Sequence, residues 1–285
     1  MGLQCYAGDM RRFQHSIVVI AALLVGCGGD DSPAASAVPA QASNDATLSP
    51  ETVKAAAIPS GLIPSPLEVE SAVRKSGVAK DLQSRVPRDR GFTLSDGTHI
   101  DRVAMQTGVL LTHVILTARD ADGAVLSKRL GQIGTGLKLL KAEEKLINTV
   151  KEFEQGVAGD VIPREALLEE MARISDLMAP DKKWGPTPQT GPLVQAGAWL
   201  AGVHMVATAV LEADRIDAAD QLLKHPEVVS YFIGYVSTKN DAPSTIVHVL
   251  LKRMEDLQAR TQKATLSRGD VESILSTTDD IFRQL

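Results

Sequence analysis

Aromatic residues and cysteine are both scarce in this chain of 285 residues. Only 4% of the residues are aromatic, although 44% are hydrophobic, so alanine, leucine and valine carry most of the apolar content. This composition favours helices over an all-β sandwich. The two cysteines are Cys5 and Cys27, too few for a disulfide framework of the kind that small secreted domains use.

A strong charge of either sign is missing as well. The formal net charge is −5, and loss of an N-terminal leader that contains Asp9, Arg11 and Arg12 changes it only to −6. No basic face is evident in the sequence, and proteins that bind nucleic acid need one to neutralise phosphates. The sequence therefore predicts no nucleic-acid partner.

Motifs for catalysis, metals and cofactors are also lacking. The histidines follow neither an H-E-x-x-H pattern nor a His/Cys ligand spacing, and no G-x-S-x-G elbow is present. Gly131, Gly134 and Gly136 follow no predicted strand and precede no Gly-Lys-Ser/Thr, so close helix packing or a kink explains them better than a phosphate loop. The sequence predicts no catalytic, metal or cofactor-binding residue and no cofactor.

The N-terminal segment has the parts of a bacterial lipoprotein leader in the right order. Arg11 and Arg12 precede a short apolar run at 17–25, and Leu24-Val25-Gly26-Cys27 resembles a lipobox. The resemblance implies a signal peptide at 1–26, with Met10 as the expected true start, and a lipid on the sulfur of Cys27. Two or more acyl chains would anchor the protein stably to a membrane. An ordinary signal peptide with an incidental cysteine is the alternative.

Residues 27–57 are predicted to form a disordered tether behind the lipidated cysteine. Small, polar and proline residues dominate this stretch, which cannot bury enough apolar surface to fold alone. Gly28, rather than aspartate, follows the lipobox cysteine. By resemblance to enterobacterial sorting, this places the protein in the cell envelope, on the outer membrane facing the periplasm rather than on the inner membrane.

Residues 58–285 are predicted to form a single all-α domain, a bundle of about eight helices around a buried helix at 193–211. Only Gln195, His204 and Thr208 are clearly polar in that stretch, so no face of the helix is free for water. Small residues such as Gly197 and Gly202 are expected to let neighbouring backbones come close. The length also suits a membrane span, but other segments have apolar faces that need a partner, which favours a core helix.

Local signals predict where several helices begin and end. Ser65, Pro66 and Glu68 form a capping box with proline at the first helical position, and Gly77 ends that helix. The same reasoning gives a helix that starts at Thr98, one continuous helix from 124 to 155, one from Pro163 to Pro180, one at 226–238, one from Pro243 to about 263, and a last helix capped by Ser267 and Asp270.

A few residues stand out as candidates for contact or chemistry. His113 and His204 lie on apolar helices, where a neutral imidazole with a hydrogen-bond partner is the expected state and a ligand or proton carrier is the alternative. Trp184 is expected to be exposed in the proline-rich loop at 179–192. Arg85, Arg88 and Arg90 form a basic loop that is either a contact surface or ordinary solvated surface.

Two stretches resemble a family of uncharacterised lipoproteins common in Bacteroidota. They are IPSPLEVESAVRKSG at 63–77 and QAGAWLAGVHM at 195–205. Members of that family have a lipobox, a polar tether, an I/L-P-S-P segment and a late G-A-W helix in an all-helical domain. This chain departs from the pattern at Ala201 and His204, where the family has an acid and an aromatic residue. The resemblance implies an anchor and a fold, and no activity.

Two classes of function are compatible with this sequence. The first is a lipid-anchored, non-enzymatic binding or scaffold module that contacts an envelope protein, an envelope polymer or a small apolar ligand. The second is an envelope hydrolase whose site is assembled from residues distant in sequence. The tether, the amphipathic helices and the missing motifs favour the first.

Overall fold

Helices make up the fold of the part of the chain that a computed structural model describes, namely residues 63–78, 92, 94–178, 184–187, 190–238 and 244–285. These ranges contain ten α-helices and no strand, so the predicted all-α bundle is confirmed with two helices more than the expected eight. The predicted leader, Cys27, the tether at 27–57 and the basic loop of Arg85, Arg88 and Arg90 lie outside the described residues.

Most of the helices follow one another closely along the chain, with longer connections between the first and second and between the fifth and sixth. In chain order they are α1 Pro66–Lys75, α2 Ile100–Thr117, α3 Gly123–Leu139, α4 Glu144–Ala158, α5 Arg164–Leu177, α6 Thr190–Glu212, α7 Ala219–Leu223, α8 Pro226–Thr238, α9 Thr245–Thr261 and α10 Arg268–Phe282. A 3₁₀ turn at Ile216–Ala218 leads into α7.

Helix α1 begins at the predicted capping box. The Glu68 N–H donates to Ser65 Oγ over 3.2 Å, and the Ser65 N–H donates to Glu68 Oε2 over 2.7 Å. Two of the backbone donors that a helix start leaves without an intrahelical partner are thus satisfied reciprocally. Gly77 has the positive φ of +68° that a left-handed residue after a helix requires, as the sequence predicts.

The centre of the bundle is the pair formed by α2 and α6, whose backbones touch. A Cβ atom on Gly108 would lie 1.8 Å from the Val194 carbonyl oxygen, and one on Gly197 would lie 2.2 Å from that of Met105. Thr112 Oγ1 also donates a hydrogen bond to the Ala198 carbonyl oxygen over 3.0 Å. The two helices can come this close because Gly108 and Gly197 have no side chain and Thr112 has a short one.

Helix α6 confirms the prediction of a buried central helix. Its side chains from Thr190 to Val210 are buried, except those of Gln195 and Thr208. It is also the one helix in the described ranges that is long and apolar enough to cross a membrane, but 89% of its most apolar window is buried against other parts of the protein. Packing within the bundle therefore accounts for its apolar character.

Several predicted helix bounds are wrong. The helix expected at 124–155 is two helices, α3 and α4, because the chain turns at 140–143 with Lys141 at a φ of +54°. Helix α2 begins at Ile100 rather than Thr98, and its first turn is capped by His99 Nδ1, which accepts from the Asp101 N–H over 3.3 Å. Helix α9 begins at Thr245 with Ser244 as its N-cap residue, and Pro243, the predicted start, lies outside the described residues.

Candidate ligand cavity

A cavity of about 100 Å³ lies between the start of α1 and the middle of α6. Ile63 to Pro66 line one side of the cavity. The other side is formed by those residues between Gln195 and Val206 that face α1. The ends of α5 and α7 complete it. Most of the wall is apolar and comes from Ile63, Pro64, Pro66, Val69, Ala198, Trp199, Val203, Val206 and Leu222.

The space exists because α6 carries no side chain at position 202. A Cβ atom on Gly202 would meet nothing closer than Val69 Cγ1 at 3.8 Å, an ordinary contact distance. Gly202 was expected to let two backbones come together, as Gly197 does, but it opens a cavity instead. Trp199 forms part of the wall, with its ring 5.9 Å from that of Phe232.

Six polar residues also line the cavity, but their hydrogen-bonding capacity is used unequally. The Ser65 hydroxyl accepts a hydrogen bond at the start of α1, and the Thr112 hydroxyl donates one from α2 to α6. The Gln195 Oε1 atom is buried and has no hydrogen-bond partner. A buried acceptor without a donor costs free energy, and because this oxygen has no accessible surface, it does not add an acceptor to the cavity wall. The remaining polar members of the wall are Ser175, Asp176 and His225.

His204, a predicted candidate, lies on a different face of α6 and does not line this cavity. Its ring is buried, its Nε2 atom lies 3.2 Å from Asp279 Oδ1, and its centroid is 5.3 Å from that of Phe282. Both partners belong to α10. The structure thus gives His204 a polar partner, and the contact fastens the last helix to the central one.

His113, the other candidate, is buried in the core on α2. Burial, together with repulsion from Arg129 and His204, lowers the pKa of His113 to about 3. Its Nε2 atom has no hydrogen-bond partner. Arg129, itself buried, donates to Thr117 Oγ1 over 3.0 Å, and Thr117 in turn donates to the His113 carbonyl oxygen. The imidazole is therefore neutral at physiological pH and does not line the cavity.

Trp184 is not the exposed contact residue that its proline-rich loop suggested. Its side chain packs against the hydrophobic core, and its Nε1 atom is buried. The loop thus contributes an anchor to the bundle, because an indole buries a large apolar area when it finds a site to fill. The arginines of the predicted basic loop lie outside the described residues, so that contact surface stays a prediction.

Sequence reasoning missed His225, the histidine that does line the cavity. Its ring is half-buried, and Nδ1 lies 3.8 Å from Glu227 Oε1, which is too long for a hydrogen bond. The local sequence, His225-Pro226, indicates only a helix start. Among the described residues, no three His, Cys, Asp or Glu side chains come together as a metal site would require.

The chain matches no protein-family model, no curated protein and no solved structure. The case for its function therefore depends on the geometry of the cavity and on the sequence.

Proposed function

We propose that this protein is a non-enzymatic binding module of the cell envelope, anchored by a lipid on Cys27, that holds a small apolar ligand in the cavity between α1 and α6. The observation that carries the proposal is the cavity itself. It is walled mainly by apolar side chains and is left open by Gly202. Ligand sites in proteins are typically concave, mostly apolar and furnished with a few polar groups.

The two stretches that resemble the lipoprotein family support the proposal because they build the same cavity. Residues 63–66 and 195–206 are separated by about 130 positions in sequence, yet they face each other across it. A resemblance confined to two segments is what a shared ligand site would leave in otherwise divergent chains. Both stretches also have a structural role, because the Ser65 side chain caps α1 and the Ala198 carbonyl oxygen accepts the hydrogen bond from Thr112.

The size of the cavity limits its occupant. A cavity of about 100 Å³ is smaller than the 300–1,000 Å³ typical of sites for drug-sized ligands. Apolar cavities of about 150 Å³ bind benzene. This cavity is smaller but open on one side, so the expected occupant is a single ring that enters it in part, or a short alkyl chain.

Toluene binding tests the proposal, with Trp199 as the reporter. In a full chain that carries Trp184→Phe and Cys27→Ser, the fluorescence of Trp199 should change saturably as toluene is added. Gly202→Leu places a side chain in the cavity and should abolish the change. Gly234→Leu is the matched control, because a Cβ atom at Gly234 on α8 meets nothing within 4 Å. No saturable change in the parent chain, or equal binding by the Gly202→Leu chain, would contradict the proposal.

An envelope hydrolase is the second candidate, because His225, Ser175 and Asp176 line one cavity. A nucleophilic site needs its base within hydrogen-bond reach of the hydroxyl. Ester turnover that His225→Asn abolishes and His204→Asn leaves unchanged would favour this candidate over the binding module. We expect no such turnover.

A further inference from the structure

A groove of about 320 Å³ lies between α9 and the end of α10. Its volume falls within the range of about 300–1,000 Å³ that is typical of small-molecule sites. The groove shares no lining residue with the α1–α6 cavity. The described residues of its wall are Val249, Lys252 and Arg253 on α9, Asp280 on α10, and Arg283 and Gln284 directly after α10.

The charge of this groove is opposite to that of the whole protein. The chain has a formal net charge of −5, whereas the described wall of the groove has three basic side chains and one carboxylate. The groove therefore has a local excess of positive charge, which an anionic group would balance.

Asp280 orients an arginine from each side of the groove. Arg253 Nη2 lies 2.8 Å from Asp280 Oδ2, and Arg283 Nη2 donates to Asp280 Oδ1. Asp256, which lies outside the wall, accepts a further long bond of 3.4 Å from Arg253 Nη1. Because a guanidinium group has five N–H donors, both arginines keep donors for a ligand. Their orientation is fixed before the ligand binds, which lowers the entropic cost of binding.

Lys252 is the third cation of the wall. Its side chain is exposed and forms no ion pair with another described residue. Guanidinium groups match the geometry of phosphate oxygens, and an ammonium group binds phosphate as a point charge. A phosphate monoester carries about −1.5 to −2 charges at pH 7 and has three strong acceptor oxygens. It therefore fits a wall with three cations better than a singly charged carboxylate does.

We infer that the α9–α10 groove binds the phosphate group of a small phosphate monoester, with Lys252, Arg253 and Arg283 as its partners. A free phosphate ester and the headgroup of a lipid present this same group. The site is separate from the α1–α6 cavity, so the inference does not rest on the proposed function.

Calorimetry of the full chain carrying Cys27→Ser tests the inference with glycerol phosphate, acetate, and dihexanoyl phosphatidate below its critical micelle concentration. Glycerol phosphate should bind at least about 10-fold more tightly than acetate, because it forms more charge-assisted hydrogen bonds. Equal affinities for glycerol phosphate and the phosphatidate would assign the site to a free ester. Tighter binding of the phosphatidate would assign it to a lipid headgroup. Both results support a phosphate site.

Two substitutions assign the affinity to the groove. Lys252→Gln and Arg283→Gln should each weaken the binding of glycerol phosphate about 10-fold, the loss expected for one hydrogen bond to a charged group. Lys145→Gln is the matched control and should leave the affinity unchanged, because Lys145 is exposed on α4 outside the groove and its loss alters the net charge equally. Far-UV circular dichroism checks that each variant keeps its helices.

Three results would overturn the inference. They are no binding of either phosphate ester by the parent chain, acetate bound as tightly as glycerol phosphate, and a Lys252→Gln chain that binds glycerol phosphate no more weakly than the Lys145→Gln chain. Toluene binding to the α1–α6 cavity is a separate measurement, so its failure would contradict the proposed function and leave the phosphate site standing.

Discussion

At the scale of single residues, His113 shows what burial does to a titratable group. The folded protein lowers the pKa of His113 to about 3, chiefly by removing water from its ring. In the unfolded chain the ordinary pKa is about 6.5. Between these two values the unfolded chain binds a proton that the folded protein refuses, so the free energy of unfolding falls as the pH falls.

We therefore expect the protein to lose stability from pH 6.5 downward. Between pH 7 and pH 5 this one group should lower the free energy of unfolding by about 2 kcal/mol. Chemical denaturation at both pH values measures the loss, which His113→Leu should remove. His248→Gln, at an exposed histidine on α9, is the control that should keep it. Equal losses in the parent and His113→Leu chains would show that His113 is not the group responsible.

A second titration is separable from the first. Lys263 and the hydroxyl of Ser267 hydrogen-bond Asp270 and hold the pKa of that carboxyl well below its usual range. The stabilisation is present above about pH 4, the ordinary pKa of the carboxyl, and is lost as the pH falls below it. The loss at pH 5 therefore belongs to histidine.

The glycines of the α2–α6 contact differ from the cavity glycine in what surrounds them. Gly108→Ala would place a methyl group 1.8 Å from a backbone oxygen, and we expect a cost of about 3 kcal/mol or more, since neither backbone can yield without moving its helix. Gly202→Ala should instead stabilise the protein by up to about 1 kcal/mol, the gain in helix propensity. Urea denaturation distinguishes the two. A Gly108→Ala chain as stable as its parent would contradict the described crossing.

At the scale of helices, the ends explain which boundaries the sequence could predict. Helices α1 and α10 begin at Ser65 and Ser267, whose capping boxes are visible in sequence and present in the structure. The turn after α3 is a Schellman motif in which the Ala142 N–H donates to the Leu137 carbonyl oxygen over 2.9 Å. Its left-handed residue is Lys141, where glycine is the usual signal, so the sequence looked like one unbroken helix.

The backbone of Lys141 is strained in this turn, and a substitution can relieve the strain. A non-glycine residue in the left-handed region costs about 1–2 kcal/mol, and Lys141 is exposed with a φ of +54°. Lys141→Gly should therefore raise the free energy of unfolding by about 1 kcal/mol. Lys138→Gly, one turn earlier and still in α3, should lower it by a similar amount, as thermal denaturation of both variants will show. A loss of stability in the Lys141→Gly chain would contradict the positive φ.

At the scale of the whole molecule, the sequence predicted the helices of the candidate site but not that they lie against each other. Residues 63–77 and 195–205 drew attention separately, and the fold class follows from the composition and from the apolar helix at 193–211. Their juxtaposition depends on tertiary packing, because the distance between positions 65 and 202 is set by how α1 lies against α6. His204, prominent because it interrupts an apolar run, faces α10 instead.

The proposed membrane anchor has its own test. In cells supplied with a clickable fatty acid, the full chain should be labelled, and Cys27→Ser should abolish the label because the thioether sulfur is gone. Cys5→Ser is the matched control and should be labelled like the parent. Equal label on the parent and Cys27→Ser chains would contradict lipidation at that position.

The cavity as a ligand site is the central claim, and the protein purified from its native envelope tests it most directly. Native mass spectrometry of the parent chain, Gly202→Leu and Gly234→Leu should detect retained small molecules. We predict an apolar compound bound to the parent and Gly234→Leu chains and absent from the Gly202→Leu chain. The same compound bound equally by all three chains, or by none of them, would contradict the claim.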